Sequence, residues 1–340
     1  MKKLIVVVLA VIFFKGGYCQ DPQFSQFFSS PLNINPALTA RINADWRMIS
    51  NLKDQWIGPA SPYITGTVSY DRKLFQDKIP GVDNSDDNTF GVGAMLMHDH
   101  SMSGIQKSTY ASLDLSYNIK IAEGTVGKHR LGVGFGTTYG RRTVDFSRLY
   151  FQEQWIGYNG FNTNLPTGES ALSEMKGYFS LSTGMLYTYY TEKSNFDLGV
   201  AAFHINKPKQ TFLEDPNQYL ALRKVAHANF ETFLNDQTVL NLNSIYQFQG
   251  EAKYYSFGGA LGRFVGDRQD QLLNFGVWYW SRHAIIPYVG LTKGDMQFGA
   301  SFDITTSKLR YADPRPKTFE LSIILRGIKT PTNVIPCPWK

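Results

Sequence analysis

Charge is scarce in this chain. Asp, Glu, Lys and Arg make up 18% of its 340 residues, against about a quarter in ordinary soluble chains. Cysteine is scarcer still, with two in the whole length, Cys19 and Cys337, so a disulfide scaffold is excluded. Beyond residue 15 no run approaches the roughly 18 consecutive apolar residues of a spanning helix, which excludes a polytopic helical membrane protein. G-x-S-x-G, H-E-x-x-H and C-x-x-C do not occur. What the chain has instead is aromatic residues, at 14%, and 30 glycines spread along its length rather than gathered in a linker. Such a chain is too rich in core-forming side chains to be disordered.

Lys2 and Lys3 precede an unbroken apolar run from Leu4 to Phe14. That length and those flanks predict an export signal, not a membrane span. We expect residues 1–19 to be the signal peptide, with cleavage near Cys19 or Gln20. Tyr18 is bulky where a lipid-attachment site wants a small residue, so Cys19 is not read as a lipid anchor. Removing Lys2, Lys3 and Lys15 leaves 31 basic against 28 acidic residues. The apparent basicity is thus partly the signal, and nucleic acid is not an expected partner.

Alternation at period two recurs through the body, the signature of strands with two unlike faces. Ala111, Leu113, Leu115, Tyr117, Ile119 and Ile121 alternate with Ser112, Asp114, Ser116, Asn118 and Lys120. Met296 to Ile304 and Thr318 to Arg326 behave likewise, and no comparable stretch carries a helical stripe. Fourteen strands are predicted, centred near 49, 67, 93, 113, 135, 183, 200, 228, 242, 259, 275, 288, 300 and 321. Most run longer than the ~5–6 residues of a soluble strand and match the ~9–11 of a transmembrane one. A sheet in lipid must have no open edge, and an even strand number returns both ends of the sheet to one side. The expected fold is therefore an all-β, antiparallel transmembrane barrel over residues 43–328, with a strap at 20–42 and a tail at 329–340. A secreted two-sheet sandwich would also alternate; strand length, low charge and Tyr or Phe near strand ends favour the barrel. Long connections fall near 144–175, 207–220 and 306–316 on one side, and short turns at Asn235–Asp236 and Gly294–Asp295 on the other. The acidic stretch 75–88 is a long exception on the short-turn side.

Several motifs invite chemistry and are better read as structure. His98 and His100 share a strand face, but no third metal ligand is identifiable near them. Gly132, Gly134 and Gly136 resemble a phosphate loop, yet they sit inside an alternating strand with no helix behind them, and a phosphate site needs that helix. No metal, cofactor or enzymatic activity is expected, the enzymatic rival being an outer-membrane hydrolase. The longest connection carries Tyr150, Phe151, Trp155, Tyr158 and Phe161, more aromatics than an exterior loop needs for solubility. They either fold back as a cap or form a docking surface with Tyr and Trp anchors.

Ahead of the first strand lie Gln20, Asp21, Pro22, Gln23, Phe24, Ser25 and Gln26, then Phe27 and Phe28, and then Asn33, Asn35, Pro36 and Ala37. Three prolines, Pro22, Pro31 and Pro36, favour extended or turn geometry, and three phenylalanines are apolar anchors on a polar segment. Read from the residues alone, the segment is a strap lining the periplasmic mouth. It closely resembles the start of the PorP/SprF family of type IX secretion system membrane proteins from Bacteroidetes. Gln55 and Trp56, followed by Gly58 and Pro62, are a second point of resemblance at the barrel mouth. Val68 to Asp71, the closing strand Thr318 to Arg326 and the tail with Cys337 and Pro338 are similar as well. Lys53 stands where the family usually has Arg, and Leu38, Thr39 and Ala40 depart from its usual sequence. The resemblance implies an outer-membrane component that works with other type IX secretion components. Its partner would be a secreted surface protein, held through a C-terminal domain of the so-called type B class, gliding adhesins among them. The alternative is an outer-membrane porin or hydrophobic-solute channel.

Overall fold

In the computed structural model, residues 21–59, 61–74, 88–169, 175–210, 218–266 and 270–327 are described. The predicted signal peptide, the acidic stretch 75–87 and the tail with Cys337 lie outside them. Fourteen strands form one closed antiparallel barrel, in which every strand pairs with its sequence neighbours and the first pairs with the last. They are β1 (Trp46–Ile57), β2 (Tyr63–Leu74), β3 (Thr89–Ser101), β4 (Gln106–Glu123), β5 (Lys128–Val144), β6 (Tyr178–Tyr190) and β7 (Ser194–Phe203). The second half comprises β8 (Arg223–Asn235), β9 (Thr238–Gln249), β10 (Ala252–Val265), β11 (Gln271–Trp280), β12 (Ala284–Lys293), β13 (Met296–Thr305) and β14 (Lys317–Gly327). Each of the fourteen predicted centres falls inside its strand. Closure runs from Trp46 opposite Gly327 to Asp54 opposite Phe319, so the sheet has no free edge, as lipid demands.

The two faces differ as the alternation predicts. Outward positions carry Leu52, Val68, Leu113, Leu115, Phe135, Leu198, Phe275 and Leu321, all exposed. Aromatic pairs flank this apolar band at both ends, among them Trp46–Tyr70 at the short-turn end and Tyr139–Phe179 and Phe302–Phe319 at the other. Such girdles mark the two membrane interfaces. The short-turn end holds the start of β1 and the end of β14 and is the periplasmic side by the usual loop asymmetry. The ends of β5, β7 and β13, from which the long connections depart, then face outside.

The structure corrects the expected place of the strap. Residues 21–45 do not line the periplasmic mouth; they run through the barrel's interior from one end to the other. Asp45 N–H donates to Gly327 O at the periplasmic rim (2.8 Å), whereas Asp21 N–H donates to Gln249 Oε1 at the extracellular end of β9 (3.0 Å). The physical reason is the bore. Side chains can fill an eight-stranded barrel, but the diameter grows with strand number, so fourteen strands leave room that an apolar-anchored segment can occupy. Phe27 and Ile34 join Val225, Ile245, Trp278, Ile286 and Tyr288 of the wall in one buried cluster. Phe28 lies 4.6 Å from Trp278 and 5.5 Å from Tyr288, ring to ring. Phe24 and Leu32 pack with Met95 and Met97. The hydrophobic core of this protein is thus inside the cylinder.

Prolines shape the segment. Pro31 opens a single helical turn, Pro31–Ile34, where its missing N–H costs nothing, and Pro36 opens a 3-10 turn, Pro36–Leu38. Asn35 caps the latter by accepting from Ala37 N–H (2.9 Å). The turns come so close to the wall that β5 and β6 need glycine there. A Cβ on Gly134 would strike the Ala37 backbone, and one on Gly184 would strike the Asn35 side chain. Gly134 therefore has a packing role, as its place in a strand suggests. Gly134→Val is expected to lift the segment from the wall at a cost of about 1–3 kcal/mol or more. Faster tryptic cleavage at Arg41 in the detergent-solubilised protein would register it; an unchanged rate would mean the close approach is unimportant.

Candidate functional site

Wall carboxylates hold the segment by its backbone. Ser25 and Gln26 N–H both donate to the Glu320 carboxylate, at 2.7 and 2.9 Å. Ser25 Oγ donates to Asp303 (2.8 Å), and the Gln26 amide bridges Ser301, Ser322 and Glu320 O at 2.8–3.0 Å. Lys53 Nζ donates to Gln23 O (3.0 Å) while lying over the Trp280 ring. Farther down, Asn35 Nδ2 donates to Met185 O and contacts His227, and Ala40 N–H donates to Asp71, which also pairs with Arg47 at 2.7 Å. Asp114, Asn118, Asp303 and Glu320 are buried in the occupied lumen as expected of inward positions. Lys120 is the exception: it reaches Glu123 at the periplasmic rim (2.8 Å).

At the extracellular end Asp21 is clamped between His204 (2.8 Å) and Arg223 (3.3 Å). Burial pushes its carboxyl up, but the Arg223 guanidinium and His204 outweigh that and hold it well below the usual carboxylate range. Arg223 also donates to Asn33 O (3.0 Å), tying two positions of the resemblance motif to one side chain. Pro22 and Gln23 line a vestibule of about 470 Å³ together with Gln55, Trp56, Tyr63, Asp99 and Trp280. The two stretches that carry the family resemblance, far apart on the unfolded chain, therefore meet at one mouth. Trp56, the penultimate residue of β1, has φ +66°, its backbone N–H donating to Thr318 Oγ1 (3.2 Å). The His98–Asp99–His100 run splits across the wall. The His98 and His100 rings are 6.0 Å apart, whereas Asp99 accepts from Thr65 Oγ1 (2.6 Å) beside the vestibule.

The aromatic loop lies elsewhere, above the end of β5. It is a folded element, with Asn162 N–H donating to Gln154 O and Ile156 N–H to Gly160 O, both 2.8 Å. Trp155 and Phe161 stack edge-on at 4.8 Å, with Tyr150 5.0 Å from Phe161. Trp155 is 54% exposed and Tyr158 fully so; Phe151 is half-buried. Sequence reading named these loop residues and the motif residues, but missed Glu320, Asp71, Arg223 and His204 as their holders. A partial signal existed: inward positions carrying Trp278, Ile286 and Tyr288 have no use for water.

Comparison with known proteins gives one family. No curated protein matches the sequence. Among solved structures, the Ralstonia pickettii toluene transporter TbuX aligns at 11% identity over 88% of this chain and 94% of its own, with a TM-score of 0.46. The Pseudomonas putida toluene transporter TodX aligns at 11% over 91% and 94%, with a TM-score of 0.47. Likeness at that level says nothing about what this chain binds or passes. The family profile for the type IX secretion system membrane protein PorP/SprF matches residues 17–325. With nearly the whole closed barrel inside that match, the chain belongs to the PorP/SprF family of type IX secretion system membrane proteins and resides in the outer membrane.

Proposed function

We propose that this barrel is a non-enzymatic receptor that supports secretion and surface attachment of one exported protein. It does so by holding that protein's C-terminal signal domain, of the type B class, at the extracellular end. The observation that carries the reading is the exposed aromatic cluster of Tyr150, Trp155, Tyr158 and Phe161, set on a hydrogen-bonded loop rather than a slack one. Tyr and Trp presented this way supply contact area at low entropic cost and dominate binding hot spots. An occupied lumen favours a receptor over the alternative, a porin or hydrophobic-solute channel. Contacts with other type IX components fall to the periplasmic rim in this reading, because the segment at 21–45 is committed to the interior.

A mild-detergent pull-down from native membranes with mass spectrometry tests it. One large secreted protein should be recovered through its C-terminal domain. Trp155→Ala combined with Tyr158→Ala should lower that recovery about tenfold or more, the usual loss at a hot spot. Recovery of no secreted protein, or undiminished recovery by the double variant, would remove the reading.

A further inference from the structure

The vestibule has a chemistry of its own, sharing with the lumen segment's hold only Trp280, over which Lys53 lies, and Tyr254. Around its wall Tyr63 meets Trp56 at 5.4 Å, Trp56 meets His283 at 6.1 Å, His283 meets Trp280 at 4.8 Å and Trp280 meets Tyr254 at 5.4 Å. These rings form a continuous arc drawn from β1, β2, β10, β11 and the turn after β11. Within that arc the Trp56 indole N–H and the His283 Nε2 are shielded from water and have no hydrogen-bond partner among the described residues. Buried polar groups are normally paired, and two unpaired ones on residues that line the same cavity point to a ligand with polar atoms of its own there. Gln55 and Asp99, planar polar side chains, stand on the same wall.

Flat rings, an unpaired indole N–H, an unpaired imidazole nitrogen, an amide and a carboxylate describe a surface for a molecule with apolar C–H faces and a rim of hydroxyls. We infer that the vestibule binds a hydroxyl-rich saccharide, presented from outside the cell. The sugar's C–H face lies on Trp56, one oxygen accepts from the Trp56 indole N–H, a hydroxyl meets His283 Nε2 as donor or acceptor according to the ring's tautomer, and other hydroxyls donate to Asp99. At about 470 Å³ the cavity lies within the roughly 300–1,000 Å³ of ordinary small-ligand sites, so it suits the end of a saccharide chain. The inference is independent of cargo binding, which was assigned to the loop at 150–161.

The purified full-length barrel in detergent should be titrated with two probes, maltotriose and the polysaccharide released by mild acid from the producing bacterium's own surface, by calorimetry and tryptophan fluorescence. Saturable binding of at least one is expected. Trp56→Ala should weaken it about tenfold or more, and Trp56→Phe, which keeps a ring but removes the N–H, should weaken it less. His283→Ala is the second variant, since the turn it occupies lies outside the strand ladder. Folding of each variant is checked by heat-modifiable migration. Absence of binding to both probes, or equal binding by Trp56→Ala and His283→Ala, overturns the inference. So does protection of the vestibule tryptophans by the cargo's C-terminal domain with no response to either saccharide. Cargo pull-down on the same variants reads the receptor hypothesis separately.

Discussion

Deleting residues 21–44 is expected to turn an electrically silent barrel into a conducting one. The strand ladder closes without this segment, since every strand of the wall has both its partners in the wall. What the deletion uncovers is mainly polar. Arg47, Asn51, Lys53, Asp71, Arg223, Asp303 and Glu320 all face the space that the segment fills, and each would take up water readily. Sixteen to eighteen strands leave an aqueous channel and eight do not; fourteen stand near the upper group. Planar-bilayer recording decides it. The deletion variant should show steady ohmic conductance where the intact chain shows none. Equal conductance in both would mean that the segment does not close the lumen, and the channel alternative would replace the receptor. The apolar wall cluster around Trp278, Ile286 and Tyr288 also loses its cover, so the open form should denature at lower urea.

The contrast between what alternation reveals and what it hides follows from the physics of a barrel wall. A period of two reports which face a residue is on, and that was enough to find all fourteen strands, the outward band and the polar inner face. It does not report what lies opposite an inward residue. Glu320 reads as one more polar lumen position until Ser25 and Gln26 are seen to donate to it. Gly134 reads as a strand glycine until Ala37 is found against it. The segment at 21–45 carries no period, only prolines and three phenylalanines, so its composition suggested a strap while its path depended on the bore of the cylinder. Trp56 was legible through family resemblance, but its neighbours Trp280 and His283 come from β11 and the turn after it, more than two hundred residues away. No local pattern joins them.

Glu320→Ala should release the lumen segment while leaving the barrel closed. The substitution removes the acceptors of two buried backbone N–H groups, Ser25 and Gln26, and leaves Lys53 in the same pocket without one of its neighbouring carboxylates. Losing one member of a buried, charge-assisted set costs about 3–5 kcal/mol, most of it as unpaired groups rather than as a lost attraction. That loss falls on the segment, because β14 keeps its ladders to β1 and β13. Thermolysin should therefore cut between residues 21 and 45 far faster than in the unaltered chain, with heat-modifiable migration of the barrel unchanged. An unaltered cleavage rate would show that the apolar anchors Phe24, Phe27 and Phe28 hold the segment alone. Glu320→Gln keeps one acceptor oxygen and should fall between the two. Adding Lys53→Met to Glu320→Gln should restore part of the loss, because Lys53 stands opposite Glu320 across β1 and β14 and removing both buried charges leaves neither uncompensated; an additive result would mean that Lys53 acts through Gln23 O alone.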